Sequence, residues 1–215
     1  MARYWAARRW RQATQRYRGR ALPAGPAPSG AELDALAGAL DLSRLSDEQF
    51  VQLLVTVHML GHVGTGVSLQ AMSTQSLVDL IAQASKKQLK LLSEHEELRT
   101  FLLEELFRRM SGHLIVEKTR NISMAVTWNF TNGAADAPPL VFQTLVEDGE
   151  CESAPDLGLE PDATVTVSIY DFIRMATGGN ALAMSMFVSG KIKVRGDYSV
   201  AARFITYFDI PRPSS

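Results

Sequence analysis

Several features that would classify a chain quickly are missing here. Among 215 residues there is one cysteine, Cys151, so no internal disulfide can form. That argues against a stapled secreted scaffold and makes a reducing compartment, the cytoplasm, the expected location. No uninterrupted apolar run reaches the roughly 20 residues that a membrane-spanning helix needs. A Gly-x-Ser-x-Gly elbow, a phosphate loop and a Gly-x-Gly-x-x-Gly turn are all absent. Cys151 itself lies between Glu150 and Glu152, whose charges disfavour a thiolate, so it makes a poor nucleophile. No repeat of 20 to 50 residues occurs. These absences point away from an enzyme, and neither a cofactor nor a catalytic residue is expected.

Acidic residues are absent from one stretch in particular. Residues 1 to 31 hold seven arginines (Arg3, Arg8, Arg9, Arg11, Arg16, Arg18 and Arg20) and no acid, leaving 15 basic against 23 acidic side chains in the rest. This basic arm also carries Tyr4, Trp5, Trp10 and Tyr17, and it ends in a Pro/Gly linker, Leu22 to Gly30, that stops a helix. Arginines and interfacial tryptophans suit transient contact with an anionic membrane. In a eukaryote the same composition would suit organelle import, and a plain solvated tail is the bland alternative. No base-reading motif accompanies the charge, so nucleic acid is not an expected partner.

With 46% hydrophobic and 21% charged residues the remainder is ordinary globular material. Residues 31–93 read as a small all-α region. Ser46 and Gln49 form a capping box for a helix to about Leu60, and a second helix is predicted from Ser73 to Leu92 on the spacing of Leu77, Leu80, Ile81 and Ala84. A further box, Ser93 with Glu96, opens a helix to about Met110. Near Gly112 the period falls from 3.6 to 2. Ile122, Met124, Val126, Trp128 and Phe130 alternate with polar or small residues, as on a strand with one buried face. Turn chemistry at Thr131-Asn132-Gly133 and a loop to Pro139 precede a second strand, Leu140 to Val146, and a third is predicted from Thr164 to Ile169. Ser168 and Asp171 cap a short helix that ends at Gly178-Gly179; a helix from Asn180 to Val188, a strand around Ile192 and Val194, and a last helix with the stripe Val200, Phe204, Phe208 complete the chain.

The segment Met186 to Asp197, with Phe187, Gly190-Lys191, the alternation Ile192-Lys193-Val194-Arg195 and Gly196, resembles the signature of the sterol carrier protein type 2 family. Ala163 to Gly178 is similar to the family's strand and following short helix. The resemblance covers residues 94–212. It implies an α+β fold, a twisted and mostly antiparallel sheet covered by helices around a hydrophobic tunnel. It also implies non-enzymatic binding and transfer of a sterol, fatty acid, acyl-CoA or phospholipid. Two departures are visible: Ser189 stands where the family often has glutamine, and the chain closes on Arg212-Pro213-Ser214-Ser215 instead of the peroxisomal tripeptide, an argument against import by that route.

The residues expected near the ligand are Trp128, Phe142, Ile169, Phe172, Met175, Met184, Phe187, Ile192, Phe204, Ile205 and Phe208. Large side chains with adaptable methionines suit ligands of several shapes, although the same stripe is also what an ordinary core looks like. At ~0.8 kcal/mol per CH₂, a chain of roughly sixteen carbons gains on the order of 12 kcal/mol on leaving water, so a dry cavity suffices without a polar motif. The rival reading is a biosynthetic accessory or enzyme that holds an isoprenoid or polyketide intermediate. There His58, His62 or a partner would perform the chemistry; the two histidines, four apart on one helix face, could chelate zinc in a site that His95 and His113 complete. Against the metal stand the short helical region, the lack of a carboxylate between the two histidines, and apolar neighbours that read as packing. Lys86, Lys87 and Lys90 read as a solvated helix face.

Overall fold

In the computed structural model residues 27–131 and 140–214 are described; the basic arm up to residue 26, the turn at Asn132-Gly133 with its loop to Pro139, and Ser215 lie outside them. The helical half begins earlier than its prolines suggest. Helix α1 (Gly30–Ala39) starts immediately after Ser29, which accepts a hydrogen bond from the Glu32 amide while Glu32 reaches back to the Ser29 amide. This reciprocal cap overrides the linker reading of Ser29 and Gly30. Helix α2 (Asp47–His62) opens on the expected box of Ser46 and Gln49.

The single helix predicted over 73–92 is two: α3 (Thr74–Gln83) and α4 (Lys86–Glu94). Ala84 is extended, and Ser85 with Gln88 forms a fresh capping box that restarts the chain in a new direction. The predicted box at Ser93 and Glu96 does not form. Ser93 lies inside α4 and donates to the Lys90 carbonyl, while His95 caps α5 (Glu96–Met110) without a side-chain bond. A short helix α6 (Val116–Thr119) follows.

Five strands make one sheet: β1 (Ser123–Thr131), β2 (Leu140–Glu147), β3 (Glu150–Ala154), β4 (Ala163–Ser168) and β5 (Lys193–Gly196), in the order β3-β2-β1-β4-β5. Only the β1–β4 pair is parallel, so the sheet is mostly antiparallel as expected. Strand β3, unpredicted, is an edge strand whose Glu-Cys-Glu-Ser sequence carries no apolar alternation. Its connection to β4 is held by Gln143, whose side-chain oxygen accepts from the Leu157 and Leu159 amides.

Helices α7 (Ile169–Thr177), α8 (Gly179–Val188) and α9 (Tyr198–Thr206) come from the C-terminal half. Ser168 and Asp197 cap α7 and α9. The sheet's inner face presents Val126, Trp128, Phe130, Phe142, Val165 and Val167, all buried. Helix α5 lies over it. Phe107 stacks on Phe142 with ring centres 4.7 Å apart and on Phe172 at 5.1 Å, with Trp128 and Phe130 edge-on at 5.9 and 6.1 Å. Such pairs add to the area the rings bury. One apolar core runs without a break from Ala37 and Leu42 in the helical half to Phe208.

Candidate ligand-binding site

Where the helical half meets the sheet's helices, α3, α5, α7, α9 and the C-terminal segment close around an apolar cavity of about 70 Å³. One wall is Trp128, Phe172 and Met175; a second is Phe204, Ile205 and Phe208; the third is Leu77, Val78 and Leu106. A smaller void of about 10 Å³ lies beside it, between Val126, Val165, Phe187, Ile192 and Ala201, and shares Trp128, Met175, Phe204 and Ile205 with the first. Side chains common to both form the partition between them.

Eight of the eleven residues expected near a ligand line one or both voids: Trp128, Phe172, Met175, Phe187, Ile192, Phe204, Ile205 and Phe208. The other three line neither. Phe142 is 2% exposed beneath Phe107, Ile169 is buried at the start of α7, and Met184 packs half-buried against the core. Their strand and helix periodicity identifies a buried face, and a face is wider than the hollow in it. The wall from α3 and α5 was missed, because nothing in Leu77, Val78 or Leu106 distinguishes cavity lining from packing until the helices are docked.

Trp128 and Arg109, two of the lining side chains with polar groups, are engaged. Trp128 donates through Nε1 to Thr144 Oγ1 at 3.0 Å, which orients the indole and satisfies its only donor. Arg109, buried, donates to Glu105 at 2.6 Å, to the Leu69 and Met72 carbonyls at 2.6 and 2.8 Å, and to Thr74 Oγ1 at 3.2 Å. Glu105, 1% exposed, also accepts from Arg108 Nε at 2.8 Å and Nη2 at 2.6 Å, and this bonding raises the Arg108 pKa. The guanidinium of Arg109 thereby fastens α5 to the turn before α3, and the wall these helices form is set by charged bonds as well as by packing.

The histidines divide. His58 and His62 face each other with their Nε2 atoms 3.1 Å apart, and the His58 ring rests on Phe101. Burial lowers the His58 pKa, and the charges of His62 and His95 add to the effect. His113 lies elsewhere, at the cavity wall. Among the described residues no group of three or more His, Cys, Asp or Glu side chains is placed to hold a metal. The Cys151 thiol is pushed up to about 12, by burial first and by Glu152 only afterwards, so the flanking carboxylates are the lesser reason for its inertness.

Residues 121–209 match the SCP-2 sterol transfer family. No curated protein matches the chain. Solved structures with a similar shape include sterol carrier protein 2 like 2 from Aedes aegypti, 19% identical with a TM-score of 0.37, over 52% of this chain and 98% of that one. A ubiquinone synthesis protein, UbiJ-SCP2, is 10% identical with a TM-score of 0.38, over 52% and 93%. The sec-alkylsulfatase Pisa1 from Pseudomonas sp. is 15% identical with a TM-score of 0.41, over 86% of this chain; the chain spans 33% of that enzyme's length.

Proposed function

We propose that this protein, whose C-terminal half is of the SCP-2 sterol transfer family, binds a hydrophobic ligand in the cavity beneath α9 and passes it on without chemically altering it. The observation that carries this reading is the cavity itself. About half of its lining, from Trp128 to Phe208, belongs to the matched segment and the rest to α3, α5 and the flanking residues; the lining is almost wholly apolar, and its polar members Thr74, Arg109, His113 and Thr177 form no catalytic constellation. Sterol, fatty acid, acyl-CoA and phospholipid all satisfy such a lining.

At about 70 Å³ the cavity is far below the roughly 300–1,000 Å³ of ordinary small-molecule pockets, so uptake requires a wall to move. Helix α9 is the wall we assign to that motion. It has nine residues, and its buried side chains are Val200, Ala201, Phe204 and Ile205, of which Phe204 and Ile205 can separate from Trp128 and Met175 without breaking an ion pair. The α3–α5 wall would have to break the Arg109 bonds.

Native mass spectrometry of the purified chain, followed by organic extraction, tests the proposal. A co-purified lipid near one equivalent, or saturable uptake of a fluorescent fatty acid or sterol, is expected. A chain that carries nothing and takes up neither probe would overturn the carrier reading. The rival, an enzyme or biosynthetic accessory with a metal on His58 and His62, rests on their facing nitrogens. Stoichiometric zinc, lost on His58→Gln, would put it ahead.

A further inference from the structure

Away from the cavity's helical wall, one rim of the sheet combines exposed apolar groups with cations. Helix α8 ends at Val188, 76% exposed, and α9 begins at Tyr198, 57% exposed. Between them run Lys191, Lys193 and Arg195, all exposed, with Arg203 exposed on α9; Asp197 is the one acid in the stretch, and it is occupied capping α9. None of the four cations takes part in a salt bridge with the described residues. The turn is tight. The Gly190 and Lys191 amides bond back to the Phe187 and Met186 carbonyls, with Gly190 at φ 73°, a conformation that favours glycine. Tyr198 rests on Phe187 with ring centres 4.6 Å apart, and Phe187 lines the smaller void. The exposed patch therefore stands one side chain above the hollow.

Lysines on an edge strand have a common purpose, the prevention of edge-to-edge pairing. That purpose does not call for an exposed valine and tyrosine beside them, since those groups promote association. Beyond residue 31 acids outnumber bases by 23 to 15, yet residues 188–203 carry four cations to one acid. An anionic bilayer surface is the partner that rewards both properties: acyl boundary for Val188 and Tyr198, headgroup charge for the lysines and arginines.

We infer that the β5 rim, formed by Val188, Tyr198, Lys191, Lys193 and Arg195, docks the protein on an anionic membrane. This rests on the carrier reading for its purpose, since docking there sets Phe187 and the smaller void toward the lipid from which a ligand would leave.

The test places an environment-sensitive fluorophore at Val188→Cys, and in a separate chain at Lys90→Cys on the exposed face of α4, each with Cys151→Ser. With vesicles of phosphatidylcholine and phosphatidylserine, the label at 188 should shift to the blue and be quenched by bilayer-embedded quencher, while the label at 90 does neither. Phosphatidylcholine alone, or high salt, should abolish the shift. To remove the arm's own attraction, affinity is read in full-length chain with the seven arginines before residue 31 replaced by glutamine. There Lys193→Gln with Arg195→Gln should weaken binding about 25-fold, at about fivefold for each surface cation removed. Vesicle-bound protein whose label at 188 stays in water would overturn the inference and leave the contact to the arm, as would an arm-neutralised chain that binds no vesicle. A label that inserts while fluorescent fatty acid and sterol are both refused would support the rim and remove the carrier reading instead.

Discussion

The two sides of the cavity are built differently. On the α3–α5 side, Leu77, Val78 and Leu106 are fixed by a buried carboxylate that two arginines share, and Arg109 spends its remaining donors on three groups of the preceding turn and helix. On the α9 side, Phe204, Ile205 and Phe208 rely on packing, the Asp197 cap and Asn180, which donates to the Ile205 and Phe208 carbonyls at 3.3 and 2.7 Å. Charged, multiply bonded contacts hold one geometry, whereas apolar contacts tolerate sliding. On this contrast, the proposed opening is expected on the α9 side.

The strongest way to break this contrast is at Arg109. Arg109→Met leaves Glu105 buried with one partner and takes the guanidinium donor from the Leu69 and Met72 carbonyls, of which Leu69 keeps the Met72 amide, and should cost about 3–5 kcal/mol in urea unfolding. A loss below about 1 kcal/mol would mean that the clamp does not set the wall. Leu77→Ala on the same side should cost about 2–5 kcal/mol, since Leu77 is 1% exposed and its removal enlarges the hollow it lines. Phe204→Asp addresses the other wall. Fatty acid uptake should be lost in a chain that circular dichroism shows to be folded, and retained uptake would take α9 out of the site. Ser85→Ala removes the cap that separates α3 from α4 and should cost about 1 kcal/mol.

The smallest expected effect concerns pH. His58 titrates below its ordinary value of 6.5 in the folded chain, through burial and the neighbouring His62 and His95, with Glu97 opposing. A depressed pKa means that the folded state prefers the neutral ring. Its contribution is present above about 6.5 and is lost as pH falls through the lower folded value. Tm should therefore drop less between pH 7 and 5 in His58→Gln than in the parent chain; an equal drop would assign the loss to carboxylates.

Much of the fold was legible because caps and periods are local signals. Ser46 with Gln49 and Ser168 with Asp171 stand in the structure where their spacing put them, and the alternation from Ile122 to Phe130 became β1. Local signals also misled when two competed. Ser93 and Glu96 have box spacing, but α4 was already running and kept Ser93. Edge strand β3 was invisible because its order comes from pairing with β2, with Val146 opposite Cys151, and from no pattern of its own. For the cavity, sequence marks which residues are large and apolar, and the C-terminal resemblance marked where to look. The contribution of Leu77, Val78 and Arg109 depends on docking between segments some 30 residues apart or more, which periodicity does not encode.

The unbroken core has a consequence for the chain's survival. Because Leu77 and Leu106 share one apolar cluster with Trp128 and Phe204, the two halves are expected to unfold together, and a guest between them would stabilise both. A ligand present at a hundredfold over its dissociation constant would add about 2.7 kcal/mol to the whole. Degradation that proceeds through the opened chain would slow roughly in proportion. On the proposed carrier role, lipid supply would then be written into the protein's own half-life, the loaded chain persisting and the empty one being cleared.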